Sequence, residues 1–147
     1  MDLDDAVKLE IYGTLAGTGK APTASDVARA LAIPSDDVAA AFARLHQRRL
    51  LVPEPGDPSR IRMAPPFSGV ETAFRVRSGG VLYHANCVWD AFGIAAALRR
   101  DAIIDAEDGH TGEPMTLEVR GGKPVATPCV IHFAVPAARW WTDIVYT

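Results

Sequence analysis

Two residues of complementary chemistry stand three positions apart near the middle of the chain. Cys87 and Asp90 lie within residues 83–92, where a run of strand character gives way to a helical pattern. Side chains three positions apart on a helix share one face, so the thiol and the carboxyl would lie side by side. A thiolate binds soft metals, and a carboxylic acid can deliver a proton. The spacing therefore suits the cleavage of a carbon–metal bond.

The protonation of this pair depends on where the helix begins. Asn86 is a favourable N-cap residue, which predicts Cys87 at the first helical position, where free amides and the helix dipole favour the thiolate. A carboxylate at Asp90 would oppose this, because a like charge raises the pKa of a thiol. One proton shared between the two groups would resolve the conflict. The spacing alone is explained equally well by a reactive pair and by a buried cysteine that happens to precede a charged residue in the first turn.

The elements around this pair predict an α+β fold with two parts. Three short helices and a strand hairpin predict a winged-helix-like module over residues 1–64. Extended segments and one helix predict a small mixed or antiparallel sheet with one packed helix over residues 65–147. The boundary is placed at Pro65-Pro66, because two consecutive prolines cannot continue a helix or a central strand.

The helix starts of the first part are predicted from their capping residues. We expect Asp4 or Asp5 to cap the first helix, which ends at the turn of residues 17–19, and Thr23 to cap the second, with Asp26 three residues later. Ser35 is expected to cap the third. The apolar face of that helix is predicted to consist of Val38, Ala41, Phe42 and Leu45.

The strands are predicted from alternating or continuous apolar runs bounded by glycine and proline. They cover residues 50–52, 61–63, 72–77, 81–85, 102–106, 115–119 and 130–135, and a helix is predicted over residues 86–99. Cys129 would begin the last of these strands. Cys129 and His132 would then point to opposite faces, so we do not expect them to bind one metal together. Trp140 and Trp141 are expected to cover the pocket or the domain seam.

Charge and composition disfavour several classes of partner. The net charge of -3 and a pI near 5.7 argue against binding to nucleic acid or anionic lipid. Asp36 and Asp37 would repel phosphates from the third helix, so packing is favoured over DNA binding through residues 44–49. The acidic N-terminus and the lack of a long apolar run predict a cytoplasmic protein without a membrane partner. A winged-helix regulator that senses a ligand stays open as an alternative.

The residues around the pair resemble a known enzyme family. Tyr83, Cys87 and Asp90, together with residues 95–98, 102–106 and 111–119, are similar to the core of the organomercurial (alkylmercury) lyases. Residues 27–31 and 38–42 match the N-terminal module of that family in position and pattern. The resemblance implies protonolysis of the carbon–mercury bond of a small alkyl or aryl mercurial without a bound cofactor. It assigns mercury binding to Cys87 and proton transfer to Asp90.

The resemblance also implies partners and a second mercury-binding cysteine. Mercury(II) would be bound transiently as the product and passed to cellular thiols or to a mercury reductase. We expect the second cysteine directly after Thr147, beyond an apolar strand over residues 143–147, so that the chain is truncated before it. A UGA codon meant for selenocysteine is one hypothesis for that truncation.

Two alternatives to that expectation stay open. In the first, Cys129 supplies the second thiol from its own strand. In the second, the chain is a catalytically reduced relative that binds a soft metal or an organometal without cleaving it.

Overall fold

The computed structural model describes residues 1–145 and begins with three helices and a small sheet. The helices are α1 (Leu3–Thr18), α2 (Ala24–Leu31) and α3 (Ser35–Gln47). Strands β1 (Val52–Glu54), β2 (Asp57–Ala64) and β3 (Phe67–Ser68) follow and pair antiparallel in the order β1-β2-β3. The predicted arrangement of three helices and a hairpin is confirmed. None of the helices in this part of the chain or elsewhere in residues 1–145 is long and apolar enough to cross a membrane.

The helix caps agree with the predictions at one helix and differ at two. Thr23 caps α2, and its partner Asp26 completes the capping box as predicted. The cap of α1 is Asp2, which accepts a hydrogen bond from the amide of Asp5 at 2.8 Å, and not Asp4 or Asp5. Asp4 and Asp5 lie inside the first turn, where their negative charges interact favourably with the helix dipole. Ser35 does not cap α3, because the helix already begins at that residue, directly after Pro34.

The second sheet has five strands and carries the fourth helix on one face. Its strands β4 (Arg75–Ser78), β5 (Val81–His84), β6 (Ala102–Glu107), β7 (Pro114–Arg120) and β8 (Lys123–Pro124) are antiparallel in the order β5-β4-β6-β7-β8. Helix α4 (Val88–Leu98) connects β5 to β6 and buries Ala91, Ile94 and Ala95. The predicted α+β class, with one helix packed on an antiparallel sheet, is confirmed.

The strand predicted over residues 130–135 is wrong. These residues form a loop, which is followed by a short 3-10 helix (Ala137–Thr142). A strand needs a hydrogen-bonded neighbour. Residues 130–135 pair with none of the strands within residues 1–145, and β8 pairs only with the end of β7, where Val119 lies opposite Pro124. Val130 is accordingly 91% exposed. Of the strand predicted over residues 143–147, residues 143–145 form a bend and a turn, and the other two lie outside the described residues.

A cluster of aromatic rings joins the helices of the first part to the five-stranded sheet. Phe67 on β3 lies between Tyr12 of α1 and Tyr83 of β5, with ring centroids 6.2 Å and 5.7 Å away. The buried Tyr83 hydroxyl donates to the carbonyl of Ala16 at 2.7 Å. These contacts belong to one continuous hydrophobic core. The division into domains at residues 64 and 65 stays a prediction.

Candidate active site

Cys87 occupies the turn between β5 and α4. It is the N-cap residue of α4, with extended backbone angles (φ -155°, ψ 177°), so the prediction that Asn86 caps the helix is wrong by one residue. The physical reason lies in the side chain of Asn86, which is engaged elsewhere. Its amide nitrogen donates to Oδ2 of Asp90 at 2.8 Å and to the carbonyl of Phe67 at 3.4 Å.

The partly buried thiol of Cys87 has a raised pKa. Burial is the main cause, because it penalises the charged thiolate, and the carboxylate of Asp90 adds to it. The backbone amides of Asp90 and Trp89 act in the opposite direction. The predicted preference for the thiolate at the helix start is therefore present as a local effect, but burial outweighs it.

The carboxyl of Asp90 also has a raised pKa. Burial is again the main cause, and the hydrogen bond from Asn86 offsets part of it by favouring the carboxylate. The group therefore keeps its proton to a higher pH than an exposed aspartic acid does. The proton shared between Cys87 and Asp90 stays a hypothesis, since burial favours the protonated form of each group separately.

Helix α1 contributes Tyr12 to the surroundings of Asp90. Burial raises the pKa of this phenol, and the charge of Asp90 raises it further. The Tyr12 hydroxyl donates to the carbonyl of Pro65 at 2.9 Å. Sequence reasoning missed this residue, because 77 other positions separate Tyr12 from Asp90 and no local pattern connects them. The contact of Asn86 with Asp90 could have been predicted from the sequence, since side chains four positions apart on a helix are neighbours.

Cys129 lies in a groove beside α4 and not in the first turn with Cys87. The groove has a volume of about 850 Å³ and is formed by α4, β7 and the loop after β8. Its lining is mainly apolar and includes Trp89, Phe92, Ala96, Leu117, Cys129 and Ile131. Cys129 is exposed, which corrects its predicted place on a core strand. Trp89 in the first turn of α4 lines the groove, so the groove adjoins the start of the helix, although neither Cys87 nor Asp90 lines it.

Aromatic side chains connect the C-terminal loop to the rest of the molecule. Phe133 contacts Trp89 of α4 and Trp140, with ring centroids 6.2 Å and 5.1 Å away. Trp140 donates from its indole nitrogen to the carbonyl of Val135 at 2.7 Å. The guanidinium carbon of Arg49 lies 5.8 Å from the ring centre of Trp141. The two tryptophans thus pack on the loop and on the residues that follow α3.

No hydrogen bond within residues 1–145 joins a histidine side chain to Cys87 or Asp90. His84 is held by a hydrogen bond that the backbone amide of Thr72 donates to its Nδ1 at 3.0 Å. His110 lies in the turn organised by Asp108, and His132 lies in the C-terminal loop. Within residues 1–145, no three acidic, cysteine or histidine side chains gather at a point that could hold a metal ion.

The raised pKa of Cys87 predicts how this thiol reacts with iodoacetamide as the pH changes. The alkylation rate should reach its midpoint at a higher pH than that of a free cysteine derivative, because burial disfavours the reactive thiolate. Asp90→Asn should move the midpoint to lower pH, since the charge of Asp90 is one of the causes that raise the pKa of Cys87. Peptide-level mass spectrometry measures Cys87 separately from Cys129.

The matched control is Asp36→Asn, which makes the same change in the first turn of α3. It should leave the midpoint at Cys87 unchanged. Equal midpoints for the unaltered chain and Asp90→Asn would contradict an electrostatic contact between the carboxyl and the thiol.

Comparison with known proteins identifies a family and a related structure. The family model described as alkylmercury lyase matches residues 67–147, which is more than half of the chain and includes both cysteines and Asp90. A crystal structure of the mercury-bound form of MerB2 is similar, with 27% identity and a TM-score of 0.66 over 84% of this chain. The chain covers 60% of that structure's length. No curated protein matches. On the family match, this chain belongs to the alkylmercury lyase family.

Proposed function

We propose that the chain cleaves the carbon–mercury bond of small organomercurials by protonolysis. The observation that carries this proposal is the pair at the start of α4, where a thiol at the N-cap position and a buried acid share the first turn. A soft metal needs the sulfur, and the carbon that leaves the metal needs a proton. Family membership and the likeness to a mercury-bound structure support the choice of mercury.

In the proposed reaction, bonds and protons balance without a resident cofactor. The Cys87 thiol displaces a thiolate ligand from the mercurial, so that its proton leaves with that ligand and a sulfur–mercury bond forms. Asp90 then transfers its proton to the carbon atom. The electron pair of the carbon–mercury bond becomes the new carbon–hydrogen bond, and the hydrocarbon departs. Asp90 is left as a carboxylate, and mercury(II) remains bound to sulfur.

Cys129 is the second thiol in this proposal. Two thiolates bind mercury(II) far more firmly than one, and both cysteines of the chain are free thiols. The loop that carries Cys129 contacts α4, because the ring of Phe133 packs edge-on against that of Trp89, two residues after Cys87. Cys129 and Trp89 also line the same groove, and this supports Cys129 as the second thiol.

The groove next to α4 would hold the organic group of the mercurial. Its lining by Trp89, Phe92 and Leu117 suits an apolar substituent, and its volume of about 850 Å³ exceeds what a methyl group needs. The hydrophobic effect would favour a phenyl group there over methyl. Cellular thiols or a mercury reductase would remove the mercury(II) from Cys87 and Cys129.

The setting of this activity would be the cytoplasm, where thiols remain reduced. DNA binding by the helical module is disfavoured by the contacts of Arg44. Its guanidinium makes two hydrogen bonds to Oδ1 of Asp4, at 2.7 and 2.9 Å, and is thereby neutralised in place. Asp36 and Asp37 remain on the same helix and would repel phosphates.

Turnover of phenylmercury and methylmercury in excess thiol tests the proposed function. The unaltered chain should release benzene and methane through many cycles. Cys87→Ser should lower turnover by at least about 100-fold, because the attacking thiol is lost. Cys129→Ser should still bind the mercurial at Cys87, but its product mercury(II) should be held by one thiol and not by two. The number of cysteines that one mercury(II) shields from alkylation measures this difference.

Two outcomes would contradict the proposal. Binding of the mercurial without hydrocarbon release would identify the chain as a reduced organometal-binding relative. Full activity of Cys87→Ser would show that the roles are assigned wrongly.

A substitution that narrows the groove should affect the KM for phenylmercury more than the KM for methylmercury. Ala96 lines the groove, and its neighbour Ala97 is equally exposed on α4 but does not line it. Ala96→Trp should raise the KM for phenylmercury at least about tenfold, because one buried ring contact is lost, and should change the KM for methylmercury by less than about twofold. Ala97→Trp is the control and should alter neither KM. Equal effects on both substrates would place the organic group elsewhere.

A further inference from the structure

We propose that Asn86 is a positioning residue that holds the carboxyl of Asp90 in one orientation for proton transfer. This inference rests on the proposed function and adds a residue to its site. It is carried by the two contacts of one partly buried amide, which joins the acid on α4 to the backbone of β3.

The first contact distinguishes the two oxygens of Asp90. The amide nitrogen of Asn86 donates to Oδ2 at 2.8 Å, so Oδ2 acts as an acceptor in the resting site. In a carboxylic acid the carbonyl oxygen is a stronger hydrogen-bond acceptor than the hydroxyl oxygen, so a donor at one oxygen favours the proton on the other. Asn86 therefore assigns the transferable proton to Oδ1. Without this bond, either oxygen could carry the proton and the side chain could rotate.

The second contact ties this orientation to the scaffold. The same amide nitrogen lies 3.4 Å from the carbonyl of Phe67, which is the weaker of the two contacts. Phe67 is itself fixed, because its ring lies between Tyr12 and Tyr83 and its backbone bridges to Ala85. Asp90 is thus positioned by both the N-terminal helices and the sheet.

The bond from Asn86 also gains strength during the reaction. When Asp90 gives its proton to carbon, the acceptor becomes a carboxylate, and hydrogen bonds to ionised groups are roughly twice as strong as those to neutral ones. The contact therefore stabilises the state after proton transfer more than the state before it. Interactions of this kind increase kcat and leave ground-state binding unchanged.

A spectroscopic experiment tests the contact in the resting protein. The chain has one asparagine, Asn86, and one glutamine, Gln47, so a proton–nitrogen NMR spectrum contains two side-chain amide pairs. One Asn86 amide proton should resonate downfield and exchange slowly with solvent. Asp90→Ala should abolish both properties and leave Gln47 unchanged. An Asn86 amide that does not respond to Asp90→Ala would overturn the proposal.

A kinetic experiment tests the role. Asn86→Ala and Asn86→Leu both remove the donor, and leucine retains most of the side-chain volume if alanine destabilises the fold. Each should lower kcat about tenfold, which corresponds to one charge-assisted hydrogen bond. The KM should remain as in the unaltered chain, because Asn86 is proposed to act through Asp90 and not on substrate binding.

The matched control is Thr72→Val. Thr72 donates from its hydroxyl to the carbonyl of Ala85 at 2.7 Å, one residue before Asn86, but its contacts do not involve Asp90. This change should lower stability and leave kcat within about twofold. Equal losses of kcat in Thr72→Val and Asn86→Leu would reduce Asn86 to a structural residue and overturn the proposal.

The outcomes separate this inference from the proposed function. Absence of turnover in the unaltered chain would overturn the proposed function, and the role of Asn86 in the reaction with it. Normal turnover with an unchanged kcat in Asn86→Leu would overturn the inference alone. Loss of kcat confined to the Asn86 variants, together with the NMR response, supports both.

Discussion

A carboxyl group that is removed from water keeps its proton to higher pH, and two parts of this chain hold Asp90 in that condition. Helix α4 presents the group in its first turn, where burial raises its pKa and the hydrogen bond from Asn86 offsets part of that effect, and Tyr12 of α1 lies close enough for the charge of Asp90 to raise its own pKa. The cost of charging a buried carboxylate is what makes this aspartate an acid. The position of α1 relative to α4 is therefore a requirement of the chemistry as well as of the core.

The rings of Tyr12, Phe67 and Tyr83 maintain that position. Each ring comes from a different element, and Phe67 contacts both of the others. Tyr83 also anchors to α1 through its hydroxyl and the carbonyl of Ala16. The helical module of winged-helix shape therefore contributes to the core that carries the five-stranded sheet. In the proposed reaction, this module contributes Tyr12 to the surroundings of Asp90.

Local features of the fold and site could be predicted from the sequence. The capping box of Thr23 and Asp26, the apolar face of α3 and the shared turn of Cys87 and Asp90 all depend on residues within four positions of each other. The direction of the thiol's pKa could not be predicted. The helix start acts as expected, but its effect is opposed by burial, which depends on the whole fold.

Features that depend on distant partners were missed or wrong. The sequence of residues 130–135 is typical of a strand, yet the segment pairs with none of the strands within residues 1–145 and forms a loop that contributes Ile131 to the groove. Tyr12 reaches the acid from the other end of the chain. Asn86 is a residue type that often caps helices, but its side chain donates to Asp90 instead. A single sequence does not show which of these two hydrogen-bonding roles the side chain adopts.

In the proposed reaction, the proton on Asp90 is transferred to the carbon bound to mercury. A single turnover of phenylmercury in D2O tests it, with the products measured by mass spectrometry. The unaltered chain should release benzene with one deuterium per mercurial and keep mercury(II). Asp90→Asn should keep the phenyl group, with Cys87 carrying an intact phenylmercury adduct. Release of benzene by Asp90→Asn at the rate of the unaltered chain would contradict the account.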